Sequence, residues 1–274
     1  MSPWLDNVLV QSAVIPFTLA LIAALALRRT GAPWAGLGFA LGVGATAYLI
    51  AGFQFMPWTS TRKILAAAAG AVMAGLLLDT LLRARRIRLW LPAVAAAAAA
   101  LWVIWPVILR SEGAGLAWVV LPAIAYAAWL TAGAELLEPR PVPAVVAALM
   151  LAVGTAVSAL LGASALMAQL GGAVAAAAGA YVLVFLWRGE FAPGRTLLLP
   201  ATLLCALLGL AAVHYARLPW YGLAPLALIP LLARLPLPAG RGRISPVLLA
   251  SLYTLPPAVA AIVITYKVTG APPL

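Results

Sequence analysis

Ten long apolar stretches follow one another along this chain, and the short gaps between them hold most of its arginines. About twenty such residues, wound as a helix, cross the hydrocarbon core of a bilayer. The stretches are 8–27, 34–55, 64–82, 89–109, 115–137, 144–163, 166–187, 196–215, 221–235 and 246–266. They are nearly continuous and rich in Ala and Leu, whereas the strands of a membrane barrel run about ten residues with alternating polarity. The sequence therefore predicts an all-α fold, a polytopic integral membrane bundle of about ten transmembrane helices. Residues 1–274 are expected to form a single transmembrane domain without a soluble domain. Composition agrees, with 66% of residues hydrophobic and 8% charged, where soluble domains carry about a quarter.

Span 9 is the weakest stretch, because it is short and carries Pro225 and Pro230. A re-entrant span 9 would leave nine crossings. The N-terminal MSPWLDN has an acid and no basic region ahead of its apolar run, so the first span is expected to be retained rather than cleaved. The lone Cys205 permits no intrachain disulfide.

With ten spans the loops alternate between two sides. One side receives twelve basic residues: Arg28, Arg29, Arg83, Arg85, Arg86, Arg88, Arg140, Arg188, Arg195, Arg234, Arg241 and Arg243. The other receives five: Arg62, Lys63, Arg110, Arg217 and Lys267. Basic loops stay in the cytoplasm, so both termini are expected outside a plasma or inner membrane. Trp4, Trp34, Trp58, Trp90, Trp187 and Trp220 lie near span ends, as interfacial anchors do. The net charge of +11 is spread over span ends and forms no basic groove with interleaved aromatics, so no nucleic-acid partner is expected.

The stretch 42–75, two apolar helices around a charged elbow, has a degraded echo at 153–180. Gly44 and Gly52 match Gly154 and Gly162 at an offset of 110, and residues 66–70 match 175–179 at 109. Leu91-Pro92-Ala93 and Pro122 match Leu199-Pro200-Ala201 and Pro230 at 108. Spans 2–5 would then repeat as spans 6–9. Four helices per copy give both copies one orientation, a parallel 4+4 repeat.

Small residues recur every fourth position: Gly38, Gly42 and Thr46; Ala66, Gly70 and Ala74; Gly154, Ser158 and Gly162; Gly171, Ala175 and Gly179. That spacing puts them on one helix face, where helices approach closely. Prolines inside spans, Pro92, Pro106, Pro122, Pro200, Pro225, Pro230, Pro256 and Pro257, each free a carbonyl that packing or a bound solute must satisfy.

Ionisable residues inside spans are functional candidates, and they are scarce. Asp79 reads as an i,i+4 partner of Arg83. Glu135 and Glu138 read as interfacial groups beside Arg140, and His214 as a helix-end histidine. Mid-span polarity is neutral, with Thr46, Tyr48, Thr155 and Ser158 as candidate pathway residues. Arg62 and Lys63 are candidate charges at the outer mouth of such a pathway. The cytoplasmic run Arg83, Arg85, Arg86 and Arg88 is a candidate grip on anionic lipid. No phosphate-binding loop, nucleophile elbow or metal-binding pair is present, so no enzyme activity, cofactor or metal is expected. Two functions follow: a carrier or permease-like protein for a neutral, lipidic or anionic solute, or a non-catalytic accessory or scaffold subunit of a larger membrane complex. The expected partners are membrane lipids, with other membrane subunits in the second case.

Overall fold

The structure is a computed structural model that describes residues 7–27, 29–52, 56–81, 85–189, 192–237 and 242–270. Its regular structure is helical throughout. Ten helices lie where the ten stretches were expected: α1 Val10–Leu27, α2 Leu37–Ala51, α3 Ser60–Thr80, α4 Arg85–Ile108, α5 Ala114–Leu137, α6 Pro141–Leu161, α7 Ala165–Arg188, α8 Arg195–Tyr215, α9 Trp220–Leu232 and α10 Ile244–Thr269.

Eight of the ten are long and apolar enough to cross a membrane; α2 and α9 are shorter. This corrects two of the ten expected full spans. The 15 residues of α2 rise about 22 Å, short of a hydrocarbon core of about 30 Å. Gly52, with φ of +64°, ends it. In α9 the prolines remove backbone donors, and the middle tightens to a 3-10 turn at Ala224–Leu228.

The bundle is built around α8. Its sequence is apolar nearly all round, as a membrane span's is, and it is burial that sets it apart: every residue from Arg195 to Ala212 is buried. Helices α3, α4, α5, α6 and α7 pack against it. Outside this group α1 lies on α2 and α7, and α10 lies on α6.

The two hairpins of the expected repeat differ. Helices α6 and α7 pack along their length, with Gly171 of α7 against the backbone of Ala156. Helices α2 and α3 touch little, because each is held by a different partner. Gly42 lets α2 close on α1, where a Cβ would stand 2.5 Å from the Pro16 carbonyl oxygen. Gly75 lets α3 close on α8, where a Cβ would stand 2.7 Å from the Arg195 carbonyl oxygen. The buried stripe of α3 is Ile64, Ala68, Ala71, Gly75 and Leu78. It is not the Ala66, Gly70, Ala74 face; a Cβ on Gly70 would meet open space.

Gly75→Val is expected to drive a side chain into the start of α8 and cost about 1–3 kcal/mol, whereas Gly70→Ala should be nearly neutral. Thermal unfolding in detergent compares them. Equal melting of the Gly75 variant and wild type would rule out the close approach.

Candidate functional site

The first turn of any helix leaves backbone N–H groups without acceptors. At α8 the preceding residue is Gly194, which has no side chain to cap them. The acceptor comes from another helix. Asp79, next to last in α3, takes hydrogen bonds through Oδ2 from the backbone N–H of Arg195 at 2.8 Å and of Thr196 at 3.4 Å. The Thr196 hydroxyl adds a third at 3.4 Å. A carboxylate there also meets the positive end of the helix dipole.

The Arg195 side chain completes the arrangement. Its Nη1 donates to Asp79 Oδ1 at 3.0 Å and its Nε to Glu135 Oε2 at 2.8 Å. Its Nη2 lies 3.2 Å from Glu138 Oε2. The side chains of Arg195, Asp79 and Glu135 are nearly fully buried, while that of Glu138 is 28% exposed. One guanidinium thus joins the ends of α3 and α5 to the start of α8. The second oxygen of Glu135, Oε1, makes no hydrogen bond among the described residues.

This cluster differs from the expectation for its acids. Asp79 is bonded to Arg195, and Arg83, its expected partner, lies outside the described residues. Glu135 is buried against Arg195 rather than interfacial, and Arg140, beside it in sequence, donates through Nη1 to the Arg234 carbonyl at 2.9 Å. A signal for the cluster was present in the sequence. The chain holds only six acids, and three of them sit at ends of spans 3 and 5 on the side assigned to Arg195.

Beside the cluster in sequence, a vestibule of about 1400 Å³ opens on the same face of the bundle. Arg29, Arg140 and Arg243, from three interhelix segments, and Arg188, the last residue of α7, line it, and its described lining contains no Asp or Glu. Pro139 and Ala192, close in sequence to Glu138 and Arg195, belong to its wall. Arg243 Nη1 donates to the Trp187 carbonyl at 3.0 Å. Arg188 stacks 4.5 Å over the Trp187 ring. Each guanidinium carries five N–H donors, so these contacts orient the groups without exhausting them. The four arginines all come from the side expected to be basic.

The candidate pathway residues do not meet in one cavity. Thr46 is buried and donates to the Gln11 carbonyl at 2.7 Å. Thr155 and Ser158 are fully buried in α6; the Thr155 hydroxyl faces the Cys205 thiol of α8, and the Ser158 Oγ makes no hydrogen bond among the described residues. Tyr48 is 52% exposed on α2 and borders a groove between α2 and α3.

Lys63 is buried, and its Nζ donates to the Trp102 carbonyl at 2.9 Å. That carbonyl is the one left without a helical donor by Pro106, four residues on. The neighbouring Val103 carbonyl accepts from the Tyr215 hydroxyl at 2.8 Å. Lys63 is therefore engaged by the carbonyl that Pro106 frees in α4. Arg62 is partly exposed, with Nη1 donating to the Pro57 carbonyl at 2.9 Å. Arg85, Arg86 and Arg88 begin α4, but their side chains, like Arg83, lie outside the described residues.

No family model matches this chain, and no curated protein is significantly similar to it.

Removing one partner of a buried ion pair costs about 3–5 kcal/mol. Arg195→Gln is expected to lose that much, and Asp79→Asn with Glu135→Gln in the same chain should recover part of it. Unfolding in mixed micelles reads both. A single variant as stable as wild type would show that the cluster holds nothing. Lys63→Met should cost about 1–3 kcal/mol by orphaning the Trp102 carbonyl; an unchanged melting temperature would contradict that bond.

Proposed function

We propose that this protein is a carrier or permease-like membrane protein whose solute is anionic and is first met in the arginine vestibule. One observation carries the reading: four arginines, three from interhelix segments and one from the end of α7, converge on one open cavity whose described lining holds no acid. Guanidinium groups bind carboxylate and phosphate through paired N–H donors. A basic cavity also raises the local concentration of anions and their rate of entry. This narrows the solute from neutral, lipidic or anionic to the last.

In this reading the vestibule faces the cytoplasm of a plasma or inner membrane, both termini lie outside, and the chain is not an enzyme. The parallel repeat would supply the scaffold; it rests on sequence offsets such as Pro92 and Pro200, which both fall inside helices. The Arg195 cluster would be the closed end of the route. Glu138, its most exposed member, directly precedes the vestibule residues Pro139 and Arg140.

A second reading, a scaffold subunit, is favoured by the packed interior. Two cavities along α6 measure about 10 Å³ each, no more than about one water.

The test begins with thermal stabilisation of the purified protein by a series of small anions, from sulfate and phosphate to di- and tricarboxylates. Binders then go to uptake assays in proteoliposomes. The expected result is salt-sensitive stabilisation by one class, about tenfold weaker in Arg188→Gln/Arg243→Gln, with uptake of the same anion. Stabilisation by none of them, or binding without uptake, would favour the scaffold.

A further inference from the structure

Helices α2 and α3 diverge because each is drawn by a glycine contact to a different neighbour, and the space between them is a groove of about 380 Å³. Its walls are apolar and reach deep. Phe39, Val43, Ala68 and Leu204 are buried residues at its base. Gly44, Ala69 and Met73 form its exposed rim. It opens sideways from helices read as membrane-embedded, so the medium at its mouth is lipid. A water takes about 30 Å³ of liquid and a methylene group is of similar size, so the groove has room for on the order of ten methylenes.

The α3 wall of the groove begins at Leu65, and a charge stands one turn before it in sequence. Arg62, Leu65, Ala69 and Met73 stand at i, i+3, i+7 and i+11 on α3, one face of a helix, and the last three line the groove. Arg62 is at the elbow end, where α3 begins. One of its terminal nitrogens is held by the Pro57 carbonyl; the remaining donors fit a phosphate. The neighbouring Lys63 is turned inward to Trp102.

We propose that the α2–α3 groove is a binding site for one anionic phospholipid, its acyl chain between the helices and its phosphate on Arg62. The site lies apart from the arginine vestibule and does not depend on the transport reading.

The test uses nanodiscs with equal amounts of spin-labelled phosphatidylglycerol and phosphatidylcholine, and reads the motionally restricted lipid. Wild type is expected to hold phosphatidylglycerol about fivefold more strongly, the worth of one basic residue near a membrane surface. Arg62→Gln should equalise the two lipids. Gly44→Leu should fill the groove and release both, since a Cβ there meets nothing within 4 Å. Ala69→Leu on the opposite wall serves as a second filling variant, with wild-type melting as the check on folding. Equal retention of both lipids by wild type would overturn the proposal. So would full phosphatidylglycerol retention by a folded filling variant or by Arg62→Gln.

Discussion

A helix buried on every side cannot turn to water for the unpaired N–H groups of its first turn. α8 is such a helix, and Asp79 answers for it from α3. The same carboxylate pairs with the Arg195 side chain, which in turn holds Glu135 and Glu138 of α5. A charge with so little exposure is costly unless paired and hydrogen-bonded. The cluster therefore fixes where α8 starts and which helix ends stand beside it. The vestibule arginines lie beside this same end of α8, with Pro139 and Ala192 in the wall they share.

Within the hydrocarbon a different constraint operates. Apolar surface gains nothing by leaving lipid, so helices associate through close backbone approach and through the few polar bonds available. Gly42 and Gly75 supply such approaches, in opposite directions, and the hairpin between them opens. The Trp102 and Val103 carbonyls of α4, the first of them freed by Pro106, accept polar bonds from Lys63 and Tyr215. Burial of Lys63 is thus a consequence of Pro106. The hairpin's other cation, Arg62, stands on α3 one turn before Leu65, where the apolar groove begins.

Much of this was legible in the sequence. Apolar length located all ten helices, and arginine counting placed Arg29, Arg140, Arg188 and Arg243 on one side, where the structure gathers them. The two short helices were less visible, since hydropathy sums do not register where Gly52 ends α2 or how prolines tighten α9. Side-chain partners were least visible. Asp79 and Arg195 are 116 residues apart, and Glu135 and Arg195 are 60 apart, so local spacing suggested Arg83 for Asp79 and an interfacial place for Glu135. The buried face of α3 was misphased for a related reason: Ala and Gly occupy nearly every position of 66–75, and only the partner helix selects Ala68, Ala71 and Gly75. Lys63 and Arg62, adjacent and alike in sequence, have different partners because one faces the carbonyl freed by Pro106 and the other the Pro57 carbonyl.

The most direct measure of the account is hydrogen exchange at the start of α8 in nanodiscs. In wild type the amides of Arg195 and Thr196 should exchange slowly, unlike ordinary first-turn amides. Asp79→Ala should release them while α1 and α7 keep their protection. Fast exchange at both amides in the wild type, or protection unchanged by Asp79→Ala, would contradict the claim that a carboxylate from α3 holds the central helix in place.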